Sequence, residues 1–242
     1  MRFDPGSRSL LNHRDLGRFP GRTLFARVAR AVCEADCLPR KELFESWEVA
    51  RRVRRRVRGR RVVELAAGHG LLAHLLLLLD ASSEAALAID AKEVPSAERL
   101  ARALVSHWPR LEGRVQRREG DLATVDIEAA DLVVSVHACG ALSDTVIDRA
   151  VRARAAVALL PCCHDAATCD TGGLLGFLSL PLAVDATRVA RLRAASYDVF
   201  TQTIPAEITP HNRLILGVPP ARGRSNLAGG GRPREGESGS AG

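Results

Sequence analysis

Two rhythms of apolar and polar positions alternate along this chain. Short apolar runs at Arg61–Leu65, Ala85–Ile89, Asp131–His137 and Ala155–Leu160 have the aliphatic density of strands buried on both faces, and Arg114–Arg118 is a weaker run in the same series. Between them, apolar residues recur at spacings of three and four, the period of a helix with one buried face. Leu43, Trp47, Ala50, Val53 and Val57 mark one such helix, and the leucine-rich stretch from Leu71 marks another. Pro95 suits the first turn of a helix reaching about His107. Ser143–Arg152 is helical with Ser143 as N-cap, Val184–Ala195 is helical, and a further helix covers about Thr23–Glu34. Tyr197–Ile204 and Arg213–Val218 are strands with no helix between them, so they pair antiparallel. Strands alternating with helices predict an α/β fold: a seven-stranded, mostly parallel sheet, covered on both faces and closed by a C-terminal antiparallel hairpin. The chain divides into a helical lead-in over 1–40, one domain over 41–218, and a tail over 219–242. The tail is rich in Gly, Ser, Arg and Glu without apolar periodicity, a composition that predicts disorder.

Composition narrows the setting. Of the 242 residues 46% are apolar and 26% charged, as in a globular protein in water. The longest apolar run, Leu75–Leu79, falls far short of the roughly 20 residues that span a bilayer, so no membrane association is expected. Met1–Pro20 lacks the apolar core of a secretory signal, which points to the cytoplasm and to six reduced cysteines. The formal charge of +7 is concentrated: between Glu45 and Arg61, eight arginines stand against two glutamates. This Arg51–Arg61 face is either a helix's solvated side or a contact for the phosphates of an RNA substrate. No obligate protein partner is inferred.

The chemistry gathers at strand ends. Glu64-Leu65-Ala66-Ala67-Gly68-His69-Gly70 follows the first strand, where small residues let the backbone approach a ligand, as in Rossmann-like folds. Asp90 ends the second strand and can accept hydrogen bonds from both hydroxyls of a ribose. Asp121, after the third strand, is placed to meet an adenine amino group. The loop also fits the G-x-G-x-x-A of nicotinamide-dependent oxidoreductases, with Asp90 as the ribose acid. Two features argue against that reading. Glu64 presents a carboxylate, which suits the sulfonium and ammonium of S-adenosylmethionine but would repel a pyrophosphate, and the closing hairpin is that of a methyltransferase sheet. The cofactor set is therefore Glu64, Ala66, Gly68, Gly70, Asp90 and Asp121, with S-adenosyl-L-methionine as cofactor. A non-catalytic nucleotide-binding module is the remaining alternative.

Two further segments, His137-Ala138-Cys139-Gly140-Ala141-Leu142-Ser143-Asp144 and Leu160-Pro161-Cys162-Cys163-His164, fall at the next two strand ends. With the glycine loop they resemble a group of class I methyltransferases. That group includes the acceptor-stem tRNA ribose 2′-O-methyltransferases and the glutathione-S-transferase C-terminal-domain-containing protein. The resemblance covers about residues 40–218 and implies methyl transfer from S-adenosylmethionine. It departs in two places: Cys33 and Cys37 cannot supply a four-ligand zinc module ahead of the domain, and Asp165 stands where a second histidine follows Cys-Cys-His. The acceptor is read as RNA, at ribose or base, with a small molecule or protein side chain under the loop Asp165–Leu180 as the alternative.

Candidate catalytic residues are His137, Cys162 and His164, and four uses stay open for them. The thiols and histidines line the pocket; or His137 or His164 takes a proton from the acceptor; or Cys162 forms a covalent adduct; or Cys139, Cys162 or Cys163, His164 and Cys169 hold a metal. No metal is assigned, because neighbouring strand residues such as Cys162 and Cys163 point to opposite faces unless the strand has ended. Arg40-Lys41-Glu42-Leu43-Phe44-Glu45 is either a segment folded over the cofactor site or simply a helix start carrying acids for its dipole.

Overall fold

Four apolar runs and the polar β3 lie side by side as parallel strands: β1 (Val62–Leu65), β2 (Ala86–Asp90), β3 (Val115–Glu119), β4 (Leu132–Ser135) and β5 (Ala156–Leu159). In the computed structural model, which describes residues 3–220, they join β6 (Asp198–Thr203) and β7 (Arg213–Val218) in the order β3-β2-β1-β4-β5-β7-β6. β7 runs antiparallel to both β5 and β6. Every residue of β1, β4 and β5 is buried, which is why these runs are apolar throughout rather than alternating.

Six helices cover the sheet: α1 (Leu24–Ala35), α2 (Arg40–Arg54), α3 (Leu71–Leu79), α4 (Ala97–His107), α5 (Leu142–Ala153) and α6 (Leu180–Ala194). The period-two side-chain alternation divides the core. Val62, Leu132, Val134, Ala156, Ala158 and Leu216 face the layer of α1–α4, whereas Val63, Val133, Val157, Leu159 and Ile215 face α5 and α6. The lead-in shares the first of these cores. α1, capped by Thr23 Oγ1 accepting from the Ala26 N–H, buries Val28 and Val32, and Phe19, Phe25, Phe44 and Trp47 form a chain of aromatic contacts.

Four expectations change. The fourth strand stops at Ser135, so His137 lies beyond it in a loop. Ser143 is not an N-cap: it sits inside α5, fully buried, and its hydroxyl donates to the Ala138 carbonyl at 2.6 Å. α6 begins at Leu180, four residues early, with Ser179 as N-cap and Pro181 in its first turn. Pro95 precedes α4 rather than opening it. The tail expected from Pro219 lies, beyond Pro220, outside the described residues. Among the described residues no helix is long and apolar enough to cross a membrane.

Parallel strands place all their carboxyl ends on one edge. Glu64, Ala88 and Arg117 are register partners on β1, β2 and β3, so their side chains leave one face of the sheet in a row. The C-terminus of α2 leads into the start of β1, at the opposite edge, while Arg52 near its end donates to the Thr203 carbonyl at the end of β6.

Candidate active site

The loop between β1 and α3 is shaped by left-handed backbone at Ala66 (φ 53°), Gly68 (φ 50°) and Gly70 (φ 75°). Two side chains hold it from either side. Asp90, at the end of β2, accepts the Gly68 N–H on Oδ2 at 2.8 Å. Arg117 reaches from β3 and donates through Nη2 to the Gly68 carbonyl at 2.9 Å. A Cβ built on Gly70 would stand 3.0 Å from Arg117 Nη1, so glycine there makes room for the guanidinium as well as for the turn. Gly70 brings no side chain to cap α3, and Glu64 does so instead, Oε2 accepting the Ala73 N–H at 2.8 Å. The Glu64 carboxylate is therefore a helix cap as well as the candidate cofactor acid of the sequence reading. Burial pushes its pKa up to about 8, against the pull of Ala73 and Arg117.

Asp121 arrives at the same edge, with the adjoining Gly120 N–H donating to the Asp90 carbonyl at 2.9 Å. Its Oδ1 accepts the Ala123 N–H at 2.9 Å and caps a single turn. The set fits S-adenosylmethionine on its own chemistry. It offers an acid at the end of β2, a buried acid at β1, a loop with no Cβ at Gly68 and Gly70, and one buried guanidinium nitrogen, Arg117 Nη1, with no hydrogen-bond partner among the described residues. Arg117 was missed in the sequence, where a basic residue in a weak strand reads as solvated. The clue is its register with Glu64, which appears only once strands are paired.

At the next two strand ends the structure gathers histidines and thiols. His137 is half-buried, and burial, then Lys41 and His69, lower its pKa to about 4, leaving the ring neutral near pH 7. Cys139, Cys162 and Cys163 bring their sulfurs within 4.8 Å of one another, and Cys139 and Cys162 stand 2.9 Å apart. β5 ends at Leu159, so strand alternation no longer sends Cys162 and Cys163 to opposite faces. Burial and the neighbouring thiols raise the Cys162 pKa, which works against a thiolate nucleophile.

His164 is more deeply held: its side chain is 1% exposed, and Nε2 lies 2.8 Å from Asp185 Oδ1 on α6. Its other ring nitrogen, Nδ1, is buried without a partner among the described residues. Burial pushes the Asp185 carboxyl up, but bonds from His164 and Arg213 outweigh it and hold the group below its usual range. Arg188, fully buried, ties this site together by reaching Asp144, Asp185 and the Gly140 carbonyl.

α2 is helical from Arg40. Its first turn carries one acid, Glu42, which reaches to 3.8 Å from His69 Nδ1 in the loop. Lys41 pairs with the buried Glu45 at 2.8 Å. A cleft of about 640 Å³ opens between α6 and the β6–β7 hairpin. Leu178, Leu182, Val189 and Ile215 make its walls, and the Asp185–Arg213 pair, joined at 2.6 Å, lies at the end next to His164.

Of the Arg51–Arg61 stretch, Arg52 Nη2 donates to the carbonyl of Thr203, a residue lining that cleft, at 3.1 Å. Arg51 and Arg52 pair with Glu48, Arg61 with Asp131, and Arg60 donates to the carbonyls of Ala129 and Asp131. Among the described residues no carboxylate pairs with Arg54, Arg55, Arg56 or Arg58, and Arg56 stacks on Phe200 at 4.3 Å.

The profile of a family described as a methyltransferase domain matches residues 42–169, more than half of the chain and the stretch from α2 through the thiol-bearing loops. No curated protein matches the chain. Among solved structures, an O-methyltransferase family protein from Burkholderia thailandensis is 19% identical, with 86% of this chain and 68% of that one covered and a TM-score of 0.46. The S-adenosylmethionine-dependent methyltransferase SibL is 21% identical over 89% of this chain and 67% of its own, with a TM-score of 0.48. A Pyrococcus abyssi tRNA (uracil-54, C5)-methyltransferase is 14% identical over 72% and 38%, with a TM-score of 0.44. With the family match lying over the glycine loop, the acids beside it and the strand ends, the chain belongs to the methyltransferase domain family and is an S-adenosylmethionine-dependent methyltransferase.

Proposed function

We propose that the acceptor is a small molecule, or a protein side chain, whose apolar body lies in the cleft under Leu178 and Leu182 and whose nucleophile meets the methyl group at the ends of β4 and β5. The observation that carries this reading is the cleft itself: about 640 Å³, apolar along its walls and ending at charged groups beside His164. Sites for small molecules are built this way, an apolar volume with a few convergent polar groups. On this reading Asp90 accepts the ribose hydroxyls, Asp121 the adenine amino group and Glu64 the ammonium of the cofactor. Ala66, Gly68 and Gly70 give the backbone its close approach. When bound, the cofactor supplies an electrophilic methyl on sulfur. The chain's part is to hold acceptor and methyl in line, with His137 facing the transfer and His164 fixed by Asp185. Cys162 lines that edge rather than forming an adduct.

RNA is the second reading, favoured by the unpaired Arg54, Arg55, Arg56 and Arg58. Its difficulty is distance, because Arg52 and Arg56 contact β6, four strands along the sheet from the β1 that leads into the glycine loop. Incubation with methyl-labelled cofactor and separated RNA, protein and metabolite fractions decides between them. Label in metabolites or protein, abolished by Leu182→Arg with cofactor affinity unchanged, supports the cleft. Label in RNA alone, lost when Arg54, Arg56 and Arg58 are reversed in charge and falling steeply with salt, overturns it.

A further inference from the structure

We propose that Cys139, Cys162 and Cys163 form a binding site for one soft d10 cation, zinc or copper(I), at the carboxyl edge of β4 and β5. The three sulfurs come from two loops and lie within 4.8 Å of one another. Zinc binds thiolates at about 2.3 Å, which sets sulfur–sulfur separations near 3.8 Å in a tetrahedron. The cluster already brackets that spacing, and uptake requires only that Cys139 and Cys162 move apart from 2.9 Å.

The frame around the sulfurs is built without the ion. The Gly140 N–H donates to the Cys163 carbonyl at 3.3 Å, joining the two loops. Arg188 donates to the Gly140 carbonyl at 2.8 Å, and Ser143 to the Ala138 carbonyl at 2.6 Å, fixing the loop that carries Cys139 from both sides. An all-thiolate set selects soft cations over magnesium or calcium. On binding zinc, three thiol protons pass to solvent and the site keeps one negative charge. Lys41 stands close enough to Cys139 to act on it electrostatically and offsets that charge.

Cys139 and Cys163 are exposed, so a fourth coordination position is open to solvent. Three protein ligands and one open position make the pattern of a reactive metal site rather than a closed structural one. An acceptor thiol or hydroxyl entering that position would be held deprotonated next to the methyl group. This last role rests on the proposed acceptor site; the cation site does not, and its test uses no methyl transfer.

The test is titration of the reduced, metal-stripped full chain with Cd2+ and Co2+, together with elemental analysis of the protein as purified, which distinguishes zinc from copper. One equivalent bound, with a sulfur-to-metal charge-transfer band, and an affinity weakened at least about tenfold in Cys162→Ser or Cys163→Ser, supports the site. Cys163 is exposed, so Cys163→Ser keeps the fold even where Cys162→Ser does not. A reduced protein with all three thiols reactive, no charge-transfer band and no metal overturns it. So does a Cys139–Cys162 disulfide that forms in air while the reduced protein takes up no cation.

Discussion

Replacing Glu64 with Gln separates what this residue does for the fold from what it does for the cofactor. The carboxyl is 4% exposed, and burial raises its pKa from 4.5 to about 8. The folded chain thus holds this proton more tightly than the unfolded chain does. The resulting stabilisation is complete below 4.5 and is lost as pH rises through about 8. The whole gap is worth roughly 5 kcal/mol, of which roughly 4 kcal/mol is lost between about pH 5 and pH 9. Gln keeps an oxygen for the Ala73 N–H but does not titrate. Urea unfolding of both cofactor-free proteins at pH 5, 7 and 9 should therefore show the wild type losing roughly 4 kcal/mol relative to the variant. His74 and His137, both buried and lowered to about 4, titrate on the acid side in both proteins and cancel in the difference. A cationic ligand beside Glu64 favours its ionised form, so cofactor uptake near pH 7 releases a proton from the wild type and none from the variant, as calorimetry in two buffers would show. A stability difference constant to within about 1 kcal/mol across the range would refute the argument.

Three other substitutions test separate links. Asp90→Ala removes the acceptor for the Gly68 N–H and a candidate ribose acceptor; cofactor affinity measured by calorimetry should fall by about two orders of magnitude while the circular dichroism spectrum is kept. Gly70→Ala puts a Cβ 3.0 Å from Arg117 Nη1 at a φ of 75°, and should cost about 1–3 kcal/mol in denaturant unfolding together with cofactor binding. Arg188→Met leaves Asp144 and Asp185 short of a buried partner; about 3 kcal/mol should be lost, and an unchanged unfolding midpoint would remove Arg188 from its bracing role.

The sequence made some of these features readable because their causes are local. β1, β2 and β5 announce themselves as apolar runs, the hairpin by the missing helix, and the loop by Gly68 and Gly70. The run Asp131–His137 overstated its strand, because apolar content continues into Val136 while pairing ends at Ser135. The start of α6 was hidden because Leu182 lines a cleft instead of the core, although Ser179 before Pro181 was a usable signal. Arg117 under the glycine loop and Asp185 behind His164 could not be read locally. The first needs the register of three strands and the second a helix returning 21 residues later to one strand end. The thiol cluster depended on one residue-level detail, where β5 stops.

Ala66 occupies backbone space that glycine enters freely and alanine enters at a cost of about 1–2 kcal/mol. A chain left to itself would relax that residue, so the surrounding bonds must impose its shape: Asp90 on one side of the loop, Arg117 on the other and Glu64 on the helix behind it. The loop is thereby cast before any nucleotide arrives. Ligand binding then need not order it, and the free energy of association is spared the entropy that a mobile loop would lose. Slow amide exchange at Gly68 in the ligand-free protein is the signature of that casting.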